Sequence, residues 1–583
     1  MPTQNDNLHR IDWFFTQRMF NRQYVPSLIT AVVLSFGDIA DSLVLGKRIG
    51  YIGLAALALT MPVSQVFNII MNALGIGGCV RYANRMARGR KDQAVAGFQG
   101  VVCAAVLAGA ALALLGNLLM TPLLGLLGAS PGDGGLFNAA GKYLRILLMG
   151  SPILFLNYVL NFFLKADDRE KEASVAFTAG NIVDIGLNIL LVLVFRMDVT
   201  GAGLATVAGQ TVGAGIALFV ISRHRGELTL KRMKPDWKEA GKSFRVGLSS
   251  SISYFYSLIY LLIANNLLLR TMGGAGAAML DVLLGVSYFM MNLYDAVSQS
   301  ILPVVSTYHG ERNENGMRLA RNAGLMAAVI SGSLLAAATF LFPEAICRFF
   351  GMDDPAMLAS GVEALRIYSL SIPLAGISIL LMGVYEARKQ PGMTLMITTL
   401  RGVMRIAAAL IMALWMPNRF WFMYVAAEAL TLCVYGVLYL VRKQKKTDNE
   451  RVFRSTIYST ETEVSRTTEQ IEAFCERWNA NPGQQYLAMM AVEEICLAMM
   501  NSGFHGKKDG FIQIVLVALE QGGFELHIRD NAASFNPLAM EMKGNPGDQD
   551  ADLDALGILM IRKKAKSLAY RHFQGFNTVI IQI

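Results

Sequence analysis

From Pro26 to Val441 the chain repeats one pattern, an apolar run of about 20 residues followed by a short polar break, and that pattern excludes a water-soluble fold. Twelve such runs lie at 26–46, 53–76, 94–116, 142–164, 174–195, 202–222, 246–269, 277–302, 323–342, 364–386, 393–416 and 420–441. Only 16% of the residues are charged, against about 25% in soluble proteins, so the apolar excess must face lipid. The pattern stops at Val441. There Arg442, Lys443, Lys445 and Lys446 open a polar segment long enough to fold as a domain of its own.

Loops rich in Lys and Arg stay on the cytoplasmic side of a membrane. Arg81, Arg85, Arg88, Arg90 and Lys91 follow the second run, the segment Arg223 to Arg245 follows the sixth, and Arg312, Arg318 and Arg321 follow the eighth. The opposite loops are poor in charge: 117–137 carries only Asp133 and 270–276 only Arg270. Both termini are therefore expected in the cytoplasm, with the chain multi-pass in the plasma membrane. The formal charge of +9 sits in these short loops, where anionic headgroups account for it, and no nucleic-acid partner is expected. The six cysteines are scattered, without CxxC spacing or a neighbouring His, so neither a zinc site nor a disulfide framework is expected. Residues 1–25 are polar and mixed in charge, which predicts a cytoplasmic tail and no cleaved signal peptide.

Residues 144–166 and 365–387 align without a gap: Leu144-Arg145-Ile146 matches Leu365-Arg366-Ile367, Pro152 matches Pro373, and Ala166 matches Ala387. Further matches recur in the same order along the runs, which points to an internal duplication. The expected fold is an all-α polytopic membrane protein of twelve helices in two six-helix bundles, followed by a small carboxy-terminal α/β sandwich. The expected boundaries are 1–25 for the tail, 26–222 for the first bundle, 223–245 for a cytoplasmic linker, 246–441 for the second bundle, 442–454 for a basic linker and 455–583 for the last domain. Two parallel copies of this kind suit a transporter whose substrate sits between halves that rock.

Ionisable side chains inside spans are functional candidates because each is costly there. Asp38 and Asp41 share a helical face in the first run, and Asn181, Asp184 and Asn188 share one in the fifth. Tyr143 and Thr206 open the runs on either side of the fifth. Two carboxylates with amides around them suit a proton or a hard cation such as sodium, the latter expected at Asp41 and Asp184 if anywhere. In the second bundle Arg401 and Arg405 share a face and are expected to pair with an acid as structural glue, while Asp295, beside Asn292 and Gln299, is a weaker cavity candidate; Asp281 and Glu428 complete the set.

The segments ADSLVLGKRIGYIGLAALALTMP at 40–62, GNIVDIGLN at 180–188 with GAGLATV at 201–207, and RVGLSSSISYFYSLIYLLIANNLLLRTMGG at 245–274 resemble the multidrug and toxic compound extrusion (MATE) family over about residues 13–445. The resemblance implies export of organic, often cationic, compounds driven by an inward proton or sodium gradient, with no cofactor needed. It also implies a cation site at Asp41, Tyr143, Asn181, Asp184 and Thr206. Family members often show Asn and then Asp four residues later in the fifth helix, whereas here Asp184 precedes Asn188. A second family site uses acids in the seventh and tenth helices; here 246–269 has none, and Glu363 and Glu386 lie only at the ends of the tenth run.

Beyond 455, TEQIEAFCERWNA and YLAMMAVEEICLAMMNSGF read as helices, FIQIVLVAL and FELHIRD as strands, LGILMIRKKAKSL as a third helix and TVIIQI as a closing strand. The pair in AVEEICLAMMN, the stretch IRDNAASFNPLAM and the segment from LDALGILMIRKK onward resemble the anti-sigma-factor branch of the histidine-kinase-like ATPases. That resemblance implies ATP and magnesium, with Glu494 as the catalytic acid, Asp530 reading adenine and Leu556-Gly557 wrapping the phosphates. Departures weaken it: Ala498 stands where the magnesium-holding Asn is expected, and Ala532 and Ala555 replace glycines. A methyl group obstructs the approach of backbone to phosphate, and a missing oxygen weakens a metal site. Asn501, seven residues beyond Glu494, is the one candidate substitute. A degenerate regulatory domain, nucleotide-binding or protein-binding with a cytoplasmic partner, is thus expected rather than a kinase. The leading expectation is a secondary active exporter with a cytoplasmic regulator; a membrane-anchored partner-switching sensor and a flippase for lipid-linked precursors are the alternatives.

Overall fold

The computed structural model describes residues 4–583 apart from 88–89, 168, 224–226, 231–234, 442–448, 459–460, 505–509, 520–521, 533–535, 540–552 and 574–575. Most of the expected basic linker, including Arg442, Lys443, Lys445 and Lys446, lies outside the described residues. The first half of the membrane part contains α1 (Gln4–Ile49), α2 (Tyr51–Ala87), α3 (Lys91–Leu118), α4 (Met120–Leu127), α5 (Gly134–Ala166), α6 (Glu170–Asn188) and α7 (Val199–Ser222). The second contains α8 (Trp237–Leu248), α9 (Ile252–Gly310), α10 (Glu314–Leu341), α11 (Pro343–Phe349), α12 (Pro355–Ser369), α13 (Ile372–Ala387), α14 (Pro391–Trp415) and α15 (Phe422–Val441).

Among the described residues ten helices are long and apolar enough to cross a membrane, or eleven when the bent pair α12–α13 counts as one crossing. One of the ten, Trp237–Gly310, runs for 74 residues and holds two of the expected runs. These meet at Gly273, whose φ of 63° and ψ of −153° leave helical space. A side chain resists that backbone, so the glycine is where α9 can turn back. The bent pair is the repeat partner of α5. Pro152 lies inside continuous α5, whereas Pro373 follows a break where α12 and α13 meet at 43°.

Glycines let the halves touch backbone to backbone. A methyl group on Gly77 would stand 1.9 Å from the Ser243 carbonyl oxygen, and one on Gly247 would stand 2.1 Å from that of Ala73, so α2 and α8 meet with nothing between them. Such small-residue contacts replace hydrophobic burial as the source of helix association in lipid. Arg81 and Arg85 of α2 both pair with Glu239 of α8, which is 2% exposed. The expected linker 223–245 therefore ends in a helix built into the bundle.

Two further segments differ from expectation. The tail 1–25 is largely helix, continuous with the first crossing, because Phe15, Met19 and Phe20 give it a buried apolar face. A strand at Val452–Ile457, which pairs within the sheet of the last domain, spans the expected boundary at 455. It holds a five-stranded antiparallel sheet: β1 (Val452–Ile457), β2 (Ile512–Ala518), β3 (Phe524–Asp530), β4 (Ser567–Phe573) and β5 (Phe576–Gln582), in the order β1-β2-β3-β5-β4. Helices α16 (Glu461–Arg477), α17 (Pro482–Ala498) and α18 (Leu553–Lys564) cover one face through Ile495, Ile558 and Ile561 against Ile514, Leu526 and Val579. The tail of LGILMIRKKAKSL, expected as helix, turns into strand β4 at Ser567, and β1 had no expectation at all.

Candidate functional site

Four helices of the first half converge on Asp41. From α6, Asn188 donates a very short hydrogen bond from Nδ2 to Asp41 Oδ1; from α5, the Tyr143 hydroxyl donates to Oδ2 at 3.2 Å; from α7, the Thr206 hydroxyl stands 3.5 Å from the same oxygen. Asn188 is 0% and Tyr143 6% exposed, so the constellation is closed in. Helix α6 changes to a π-helical turn at Ile189–Val194, directly after Asn188. Turns of this kind re-aim side chains and occur often at functional sites.

Asp184 lies one turn before Asn188 on α6. Its place is fixed by the seam with α7: a methyl group on Gly209 would stand 2.7 Å from the Asp184 Cβ and 2.6 Å from the Gly180 carbonyl oxygen. Asp184 lies near the Thr206 hydroxyl, and its Oδ1 is buried without a hydrogen-bond partner among the described residues. The expected set Asp41, Tyr143, Asp184, Asn188 and Thr206 is thus brought together. Asn181 is on the same helix, half-buried, but no hydrogen bond joins it to the group among the described residues. The side chain of Asp38 lies outside the described residues.

One acid that the sequence left unassigned joins the site. Helix α9 runs antiparallel to α1: a methyl group on Gly285 would stand 3.4 Å from the Ile39 side chain, and Asn292 reaches Ser35 at 3.2 Å. That register brings Asp281 beside Ser42. Asp281 is 1% exposed, and neither carboxylate oxygen has a partner within hydrogen-bonding distance among the described residues. A second polar cluster lies deeper in the first half, where the Asn157 amide donates to Gln210 at 2.6 Å and accepts from Asn161 at 3.0 Å. Polar residues spaced along the fourth run were the signal for it.

In the second half Arg401 and Arg405 both reach Glu428, at 2.8 and 3.4 Å, and Ser378 contacts its other oxygen at 3.4 Å. The triad ties α13, α14 and α15 together, which is the structural pairing expected. Asn292 donates to Ser35 across the halves at 3.2 Å, while Asp295 and Gln299 are exposed on one face of α9. Glu363, midway along α12, and Glu386, at the end of α13, are exposed.

In the last domain Asp530 is fully buried, and its Oδ1 accepts from Asn577 and from the Ala532 amide, both at 2.8 Å. Glu494 lies directly on Gly557: a methyl group there would be 2.2 Å from the Glu494 carboxyl carbon. Leu556 is 38% exposed. Ala498 is buried, Asn501 is exposed, and the side chain of Ala555 lies outside the described residues. No cluster of three or more His, Cys, Asp or Glu fit to hold a metal occurs among the described residues. A magnesium nucleotide does not fit here as the resemblance implies, since the position of its metal ligand is an apolar buried Ala and the phosphate-wrapping glycine is packed by a carboxylate.

Comparison with known proteins agrees with this anatomy. The MatE family model matches residues 26–190 and 246–411, and the histidine kinase-like ATPase domain model matches 457–583. A probable multidrug resistance protein NorM of Thermotoga maritima is 25% identical over 358 residues, covering 59% of this chain and 74% of its own. The multidrug export protein MepA of Staphylococcus aureus is 24% identical over 412 residues, covering 68% and 88%. Among solved structures, an inward-facing MATE family transporter of the MOP superfamily superposes with a TM-score of 0.62 at 20% identity, over 70% of this chain and 94% of its own. A MOP superfamily transporter from Pyrococcus furiosus gives 0.57 at 20% identity, over 73% and 96%. The two matched halves, their twofold internal repeat and the shared fold place the chain in the MATE family of multidrug transporters, with a histidine kinase-like ATPase domain joined to its carboxy end.

Proposed function

We propose that the protein exports small organic cations across the plasma membrane by antiport with protons, which bind at Asp41, Asp184 and Asp281. The observation that carries this reading is that three carboxyl groups, from α1, α6 and α9, lie in one neighbourhood, Asp41 held by neutral donors, with no Lys or Arg paired to any of them among the described residues. Acids without a cationic partner in an apolar surround are suited to carry a removable proton. Sodium antiport would use the same oxygens, but a hard cation wants six or so of them, and the donors turned toward Asp41 are an amide N–H and hydroxyls. Those hydrogen bonds by themselves favour the charged carboxylate, so it is the apolar surround and the lack of a Lys or Arg partner among the described residues that favour the proton.

Two parts of the site come from different halves: Asp41 and Asp184 from the first, Asp281 from the second. Proton occupancy then bears on how the halves sit against each other, as alternating access requires. The basic loops support an orientation with both termini in the cytoplasm. The carboxy-terminal domain is a regulator that has lost magnesium-dependent ATP chemistry, a reading supported by Ala498 and by the Glu494–Gly557 contact.

The test is purified protein in liposomes with an imposed pH gradient and a fluorescent lipophilic cation as cargo. Uptake should follow the proton gradient, collapse with a proton–potassium exchanger and be indifferent to sodium. Uptake that needs sodium and ignores the pH gradient would overturn the assignment of the ion.

A further inference from the structure

A sheet with helices on one face needs its other face to be polar or covered. In this domain the second face is covered: Gln513, Val515 and Val517 of β2 and Arg529 of β3 point away from the helices and are at most 2% exposed. Phe511 and Phe576, at the ends of β2 and β5, belong to the apolar core of the membrane part. What covers the face is the amino-terminal extension of α1 together with the junction of α9 and α10.

The contact is specific at every atom that matters. Arg529 pairs with Glu311, the residue that ends α9, and the two side chains are 2% and 1% exposed. The Arg529 guanidinium lies over the Phe15 ring at 3.9 Å, and Phe15 packs edge-on against Phe576 with centroids 4.9 Å apart. Asp12 holds three parties at once. Its backbone carbonyl accepts from the Tyr308 hydroxyl of α9 at 2.8 Å, one carboxylate oxygen accepts from Asn313 at the start of α10 at 2.9 Å, and the other accepts from Gln513 of β2 at 3.2 Å. Gln513 in turn accepts from Arg529 at 3.0 Å, and Arg454 of β1 reaches the Glu311 carbonyl at 3.4 Å.

We propose that the helix-free face of this sheet is a docking surface for the transporter's own cytoplasmic end, and that it restrains transport by tying α1 of the first half to the α9–α10 junction of the second. The inference rests on the transporter reading above. Alternating access needs the cytoplasmic ends of the halves to part, and a knot that shares Asp12, Glu311 and Arg529 resists that movement. A buried ion pair contributes little net stability when intact, but a lone buried charge is strongly unfavourable, so this pair fixes one docking register and makes release all-or-none.

The test uses the full chain with a protease site introduced between Val441 and Asn449. After cleavage in detergent, the carboxy-terminal fragment of the wild type should stay with the membrane part through size exclusion. Glu311→Arg, which leaves the domain's own core untouched, and Arg529→Glu should each release it, and the double exchange should restore retention. In liposomes the released variants should export the lipophilic cation about fivefold faster or more, as coupled sites do, and the double exchange should return to the wild-type rate. Loss of the wild-type fragment on cleavage, or retention in both single variants, would overturn the docking. Release without any rise in export would overturn the restraint. A chain that retains its fragment but exports nothing in any form would instead sink the transporter reading.

Discussion

Asp281 shows how one residue changes the account of a site. In the sequence it is an isolated acid in the eighth run with no partner at helical spacing, so nothing ties it to Asp41. Only the turn at Gly273 and the antiparallel descent of α9 along α1 place it by Ser42. If it carries a proton in the cycle, Asp281→Asn should lower proton-driven export about tenfold and flatten its pH profile, with Asp281→Glu recovering part of both. An unchanged pH profile in Asp281→Asn, with Asp41→Asn inactive, would remove Asp281 from the site and leave the rest standing. Asp41, Asp184 and Asn188 stood out in the sequence because polar residues are rare in spans and α6 carries Asp184 and Asn188 on one face, while Tyr143 and Thr206 came from the family resemblance. Asn181, expected there from its helical face, makes no hydrogen bond to the group among the described residues.

Elements were legible where one periodicity ruled and obscure where two environments met. The apolar runs announce the crossings, yet the extension of α1 reads as a polar tail, because its apolar face is completed by Phe511 and Phe576 from the far end of the chain. Apart from Gln513, strand β2 is apolar throughout, and that is the trace in the sequence of a sheet covered on both sides. Two elements carry their own tests. Gly273→Val forces a branched side chain into the α9 break, which should cost about 1–3 kcal/mol and lower the thermal unfolding midpoint in detergent. Asp198 caps α7 by accepting from the Thr200 amide at 3.0 Å and from Lys142 at 2.7 Å. Partial burial opposes its charge, but the bonds from Lys142 and Thr200 outweigh it and hold the carboxyl at about 2. Its folded value lies below its unfolded one, so its stabilisation is present above the ordinary carboxylate range and is lost as the pH falls through about 2. The stability gap between wild type and Asp198→Ala should therefore be full at neutral pH and close in acid; a gap independent of pH would contradict the role of the charge.

At the scale of the whole molecule, two halves share the acidic cluster proposed to bind protons, and the last domain packs on the far ends of α1 and α9. The fold of each part was legible from its runs and strands. Their union was not, because it depends on contacts between residues 12 and 529 that no local pattern announces. If the last domain has lost its metal site, ATP should bind the full chain no more tightly with magnesium than without it, as read by calorimetry, and tight magnesium-dependent binding would contradict that reading. The central claim is that Asp41 carries the proton that drives export. Its most direct test is the movement of protons out of liposomes of known internal pH when the lipophilic cation is added, comparing wild type with Asp41→Asn. Cation-evoked proton movement in the wild type and none in Asp41→Asn, with the variant still binding the cation, is the result expected; equal proton movement in both would contradict the account.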